Sequence, residues 1–215
     1  MPVRILIADD HALVREGLRT ILEAQGDMDI AGEAGDGRDA LKMAEALRPD
    51  VIYMDISMPE LNGIEATRLI LGRVPTVRII MLSMHHTKEY VKRAMQAGAR
   101  AFLLKESAGS SAVNAVRAVM RGRQYFDAGI EAPPVKRSYS PISPKTPLES
   151  LSRRERDTLQ LVVEGNTNAA IAELFKVSTK SIETYRSRLM LKLGINNVPG
   201  LVIFAIRHGV ISLPE

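Results

Sequence analysis

VRILIADDHALVREGLRTIL, residues 3–22, joins two periodicities at a pair of carboxylates. Val3 to Ala8 is an apolar run interrupted only by Arg4, short for a helix and the right length for a strand buried on both faces. After Asp9 and Asp10 the period changes, and Leu18, Ile21 and Leu22 fall on one helical face. This is one strand-helix unit, and it recurs. Apolar runs at Met28 to Gly32, Val51 to Met54, Val77 to Leu82 and Ala101 to Leu104 alternate with helical segments, the last carrying Val113, Val116 and Met120 on one face. Five strands, each followed by a helix, predict an α/β fold with a doubly wound, five-stranded parallel sheet. Ligands of such sheets bind beyond the carboxyl ends of the strands, so functional side chains are expected there.

The pattern stops at EAPPVKRSYSPISPKTP, residues 131–147, where five prolines remove backbone donors and the apolar residues show neither period. The expected organisation is a domain over 1–127, a Pro-rich linker over 128–147 and a second domain over 148–215. Downstream of the linker the signals are helical only. Ser152 and Glu155 form a capping-box pattern with Gly165 as a stop. A second helix follows from Asn168 to Phe175 and a third from Ser178 to Leu193 before Gly194. Pro199 opens a fourth, which Gly209 ends. Four helices in so short a span, two of them separated by a tight turn, predict a compact all-α helix-turn-helix domain.

Charge follows the same division. Residues 1–127 carry 17 Lys+Arg and 17 Asp+Glu, whereas residues 128–215 carry 12 and 8, so the excess lies in the C-terminal part and points to a polyanionic partner there. The absence of cysteine excludes disulfides, thiolate metal sites and a cysteine nucleophile. No apolar run reaches eighteen residues and the N-terminus lacks the pattern of a secretory signal, so a cytoplasmic protein without a membrane span is expected.

Asp9 and Asp10 close the first strand, Asp55 the third and Ser83 the fourth, and Lys105 follows the fifth. A parallel sheet brings all five to one edge. Three carboxylates at one edge repel one another unless a hard cation joins them, and an oxygen-only set suits Mg²⁺. The same ion would neutralise a phosphoryl group under attack by a carboxylate oxygen, with Lys105 as a second positive group. Strand-end aspartates also serve as solvated turn formers, a reading that fits any one of them better than it fits the whole set.

The stretches DDHALVREGLRTIL, DVIYMDISMPELNGIEA, IIMLSMHH and GARAFLLKES resemble the flavodoxin-like receiver domain of response regulators, particularly the NarL/FixJ branch, over residues 1–122. The resemblance implies Asp55 as phosphoacceptor, accepting from a sensor histidine kinase, with Asp10 as a direct and Asp9 as a chiefly water-mediated magnesium ligand. It assigns the Ser57 carbonyl to the same metal shell. Ser83 would bond the phosphoryl oxygen and Lys105 would pair with it. Phe102 would be the aromatic that turns inward on activation, although an aromatic in a short central strand is also ordinary core. Pro59 and Gly63 read as shaping the loop after Asp55. Ser57 and His85, two residues beyond Asp55 and Ser83, are expected to border the path of attacking water and tune the lifetime of the phosphoaspartate.

LSRRERDTLQLVVEG and NTNAAIAELFKVSTKSIETYRSRLMLKLGI resemble the LuxR-type DNA-binding domain over roughly 148–212. Ile182, Leu189 and Leu193 share the inner face of the third helix. The remaining positions Lys180, Glu183, Thr184, Arg186, Ser187, Arg188 and Lys192 are candidates for contact with double-stranded DNA. Lys and Arg would reach phosphates, and Glu183, Thr184 and Ser187 base edges. A solvated charged helix is the plain alternative. Tyr185, Thr167, Ala170 and Val198 depart from the family's usual residues, which implies fewer phosphate contacts and an affinity for DNA that is either weak or strongly dependent on dimerisation.

The expected function is a two-component response regulator whose phosphorylation drives homodimerisation and promoter binding. It would be no enzyme beyond accepting the phosphoryl group and slowly losing it. Two alternatives use the same residues. One is a DNA-binding regulator with a vestigial pocket. The other is an aspartate-nucleophile phosphatase, against which stand Ser57, where a general-acid Asp would be needed, and the lack of a cap domain.

Overall fold

The computed structural model describes residues 1–84, 87–132 and 147–211. The chain divides into two compact units, Met1–Pro134 and Val135–Glu215. His85 and most of the expected linker, residues 133–146, lie outside the described residues.

The first unit alternates strands and helices in chain order: β1 (Val3–Ala8), α1 (Ala12–Glu23), β2 (Met28–Ala34), α2 (Gly37–Leu47), β3 (Val51–Asp55), α3 (Gly63–Arg73), β4 (Arg78–Ser83), α4 (Lys88–Ala97), β5 (Ala101–Leu104), α5 (Ala108–Met120) and β6 (Tyr125–Phe126). The strands form one parallel sheet in the order β2-β1-β3-β4-β5-β6. Successive strand side chains point to opposite faces, and the core splits accordingly. Ile5, Ile7, Val51, Tyr53, Ile80 and Leu82 pack on the side of α1 and α5. Leu6, Ala8, Ile52, Met54, Ile79, Met81 and Phe102 pack on the side of α2, α3 and α4. Both faces are covered, which is why the strands read as mostly apolar runs and not as alternation.

The sheet has six strands where the apolar runs predict five. The sixth, Tyr125–Phe126, pairs with Ala101 and Phe102 of β5. Two residues carry no period, so nothing in the pattern announces it. The buried Asp127 beside it accepts the Leu104 amide at 2.9 Å and the Ser107 hydroxyl, tying the end of β5 and the start of α5 to this edge.

The described part of the second unit opens with a 3-10 turn, Pro147–Ser150, followed by α6 (Arg153–Val163), α7 (Asn168–Phe175), α8 (Thr179–Leu193) and α9 (Val198–Arg207). Each helix start has a side-chain cap, and at α6 the capping box of Ser152 and Glu155 is complete. Leu151, Leu159, Leu161, Ile171, Phe175, Ile182, Leu189 and Leu201 build the core. Lys176 takes the left-handed conformation at the end of α7, and the Val177 amide returns to the Ala172 carbonyl, which closes the tight turn into α8. No single helix among the described residues is long and apolar enough to cross a membrane.

Candidate functional site

The strand order reverses between β1 and β3, so the carboxyl ends of these two strands flank the crevice of the sheet. Ala8 of β1 lies opposite Met54 of β3, which places Asp9 beside Asp55. On the other side Asp55 lies opposite Leu82, and Ser83 opposite Leu104. The Lys105 amide donates to the Ser83 carbonyl at 2.9 Å. The sheet therefore assembles the whole sequence-predicted set at one edge, with Asp9, Asp55 and Ser83 buried and Asp10 exposed.

The Lys105 ammonium, with its side chain only 6% exposed, sits 2.9 Å from Asp9 Oδ2 and 3.0 Å from Asp55 Oδ2. Its aligned hydrogen bond goes to Asp9 Oδ1 at 3.1 Å, which leaves the buried Oδ2 atoms of Asp9 and Asp55 without an aligned donor. One ammonium thus serves two buried carboxylates. Burial pushes the Asp55 carboxyl up to about 7, and the charge of Asp9 adds to the push; Lys105 and the Ser57 amide oppose it without cancelling it. Burial alone would lower the Lys105 ammonium, but Asp55 and Asp9 outweigh it and hold the group above its ordinary value.

One donor atom from each of Asp9, Asp10, His11 and Asp55 lies within 4.8 Å of the others. Buried carboxylate oxygens with open lone pairs and an exposed Asp10 suit a hard, partly hydrated divalent cation. Gly63 shapes the other wall, because a Cβ there would stand 1.9 Å from the Asp55 carbonyl oxygen. Asn62 caps α3 through the Glu65 amide, and the Gly63 amide bonds the Ile56 carbonyl at 2.9 Å. Phe102 is fully buried here, on the α3–α4 side of β5, so the ring that the resemblance expects to turn inward on activation is already inside.

Two residues of the pocket were not singled out in the sequence. His11 turns Nδ1 to within 2.7 Å of Asp10 Oδ1 and 3.2 Å of Asp9 Oδ1. Arg15 donates to the Asp9 carbonyl at 2.7 Å and to Glu33 at 3.1 Å, linking α1 to the ends of β1 and β2. The spacing of His11 and Arg15, one helical turn apart and next to the aspartates, was the available signal.

The second candidate surface is α8. Ile182 and Leu189 are buried, while Lys180, Glu183, Thr184, Ser187 and Arg188 are exposed. Two of the seven candidates are tethered within the domain. Half-buried Arg186 donates to Asn168 Oδ1 at 2.7 Å, and Lys192 donates to Glu155 Oε2 at 2.7 Å. Burial would raise the Glu155 carboxyl, but Lys192 and Ser152 outweigh it and hold the group below its ordinary value. Of the positions departing from the family pattern, Thr167 caps α7 and Tyr185 packs against the core.

Residues 5–117 match the family model of the response regulator receiver domain, and residues 149–205 that of the bacterial regulatory proteins of the luxR family. The chain belongs to the LuxR-type response regulators. Among similar proteins is the transcriptional regulatory protein MctR of Rhizobium johnstonii, 37% identical, covering 98% of this chain and 96% of the relative. The response regulator UvrY of Escherichia coli strain K12 is also 37% identical, covering 97% and 95%. Among solved structures, the RcsB–DNA complex is 26% identical with a TM-score of 0.57, covering 95% of this chain and 98% of that one. A LuxR-family regulator from Aurantimonas sp. SI85-9A1 is 33% identical with a TM-score of 0.58, covering 60% and 93%. This response regulator joins a parallel-sheet receiver to a helical DNA-binding domain, and its class regulates transcription.

Proposed function

We propose that Asp55 is the phosphoacceptor of this regulator and that a sensor histidine kinase supplies the phosphoryl group. The observation that carries the reading is the buried Asp55 carboxylate, with one oxygen unmet by any aligned donor beside Asp9 and Lys105. An Asp55 oxygen attacks phosphorus, the bond from phosphorus to the donor nitrogen breaks, and the electron pair leaves with the donor. Asp9, Asp10, Asp55 and the Ser57 carbonyl would hold Mg²⁺, which would supply positive charge to the transferring oxygens. Lys105 gives up part of its pairing to Asp9 and Asp55 to meet the new anion, and Ser83 donates its hydroxyl. Phe102 then adjusts beside Ser83 and changes the surface of the last strands. Self-dephosphorylation is slow, since Ser57 offers no carboxylate to act as general base on the attacking water.

The consequence proposed for the second domain is release and pairing. Residues 1–127 act as receiver, 128–147 as linker and 148–215 as the DNA-binding domain of a cytoplasmic homodimer, whose paired α8 helices read successive half-sites of a promoter. Lys180 and Arg188 meet phosphates, and Glu183, Thr184 and Ser187 face base edges. Arg186 and Lys192 reach phosphates only by giving up Asn168 and Glu155.

Acetyl phosphate with Mg²⁺ should add one phosphoryl group, seen as intact mass, and Asp55→Ala should abolish it. Light scattering and DNA titration with and without the phosphodonor should show dimers and tight binding only when Asp55 is labelled. Equal binding without label would leave a DNA-binding regulator with a vestigial pocket.

A further inference from the structure

Seven of the nine α-helices among the described residues begin with a side-chain oxygen bonded to a first-turn amide. At the start of α1 that position is held by His11, whose ring caps nothing. The ring turns instead to the carboxylates, with Nδ1 2.7 Å from Asp10 Oδ1, 3.2 Å from Asp9 Oδ1 and 3.5 Å from Lys105 Nζ. The main chain holds it there, because the His11 amide donates to Asp9 Oδ1 at 2.8 Å. Donor atoms of Asp9, Asp10, His11 and Asp55 lie within 4.8 Å of one another, a spread that small side-chain movements close onto one ion. Within that cluster the Oδ2 atoms of the buried Asp9 and Asp55 lie 2.9 and 3.0 Å from Lys105 Nζ and receive no aligned hydrogen bond from it.

We infer that His11 is a nitrogen ligand that lets this pocket take nickel- or zinc-class divalent ions in preference to magnesium. The inference rests on reading the pocket as a divalent-cation site. Magnesium keeps oxygen ligands and several waters, so an imidazole nitrogen adds little to its binding. Cobalt, nickel and zinc gain a strong bond from the same nitrogen, beyond their general advantage at carboxylates. The neutral ring binds through Nδ1 while Nε2 keeps its proton, and the contacts from Nδ1 to Asp10 and Asp9 give way to a shared ion.

The test uses the full-length protein, titrated by calorimetry with MgCl₂ and with NiCl₂, alongside His11→Ala and His11→Asn. Nickel affinity should fall roughly tenfold or more in both variants, while magnesium affinity changes by less than about twofold, which also shows that the variants keep the pocket. In the unaltered protein labelled with ¹⁵N-histidine, one equivalent of ZnCl₂ should shift the Nδ1 resonance that is missing from His11→Ala. Equal nickel affinity in all three proteins, or a His11 resonance unmoved by zinc, overturns the assignment while magnesium binding leaves the pocket intact. If the unaltered protein binds neither magnesium nor nickel, the reading of the pocket falls with it.

Discussion

The pocket of the receiver and the outer face of α8 both concentrate charge, but by opposite physical means. The pocket draws Asp9, Asp55 and Lys105 from three strand ends and buries them, so their charges act on one another through a medium that screens poorly. The α8 face takes its residues from one helix and leaves them in water, where neighbouring charges interact weakly. A buried cluster stores unfavourable energy that an ion or a phosphoryl group can relieve; an exposed face waits for a polyanion and stores nothing. Arg186 and Lys192 stand between these cases, since they sit on the exposed helix yet are tied to Asn168 and to the buried Glu155.

The largest expected effect tests the stored energy. The Asp55 carboxyl is raised to about 7 in the folded protein, so the fold holds its proton up to that pH while the unfolded chain loses it near the ordinary value. Between those two values stability falls as pH rises. Asp55→Asn removes this penalty and should stabilise the receiver without divalent ions by on the order of 2–4 kcal/mol at pH 8, with the gain fading towards pH 4. Urea unfolding at both pH values measures it, and a gain equal at the two would mean that the pocket stores no charge energy.

The next effect lies in the DNA-binding domain and has the opposite sign. The folded Glu155 carboxyl is held below its ordinary value, so its contribution is full above that value and is lost as pH falls through the folded one. Glu155→Gln should cost about 1–2 kcal/mol at neutral pH, and the difference from the parent should vanish in acid. A difference that does not change with pH would remove the charge of Glu155 from the account.

Smaller effects separate the tethered residues of α8 from the free ones. Arg188→Ala should weaken binding to all duplexes and reduce the salt slope by about one unit. Lys192→Ala should show first as lost domain stability, because it takes the cation from the buried Glu155 carboxylate and leaves it only the Ser152 amide. If the two variants behave alike, the tether to Glu155 is released on DNA. Thr184→Ala and Ser187→Ala should alter base preference by about 1 kcal/mol or less, without a change in salt slope. A uniform loss over unrelated duplexes would exclude them from base reading.

Much of the fold and most of the pocket were legible in the sequence because their signals are local. Strand runs, helical faces and caps such as Ser152 are decided within a few residues, and a parallel sheet necessarily gathers its strand ends. His11 was passed over because its position reads as an unremarkable helix start, and its ring matters only beside the carboxylates. Lys192 read as one more cation on a basic helix, since nothing near it in sequence indicates that Glu155 is its partner. Tyr125–Phe126 was missed because a two-residue strand exists only through its pairing with β5.

By itself, then, the sequence determined the order of the five longer strands and the helices, the two-domain organisation and which residue types meet at the sheet edge, since backbone period and capping are short-range properties. Only the tertiary structure decided how they meet. Lys105 lies 96 residues from Asp9 in the chain yet bonds it, and burial together with the Asp9 charge holds the Asp55 carboxyl up against the opposing pull of Lys105. Desolvation and pairing depend on distance in space, which no pattern of neighbouring residues encodes.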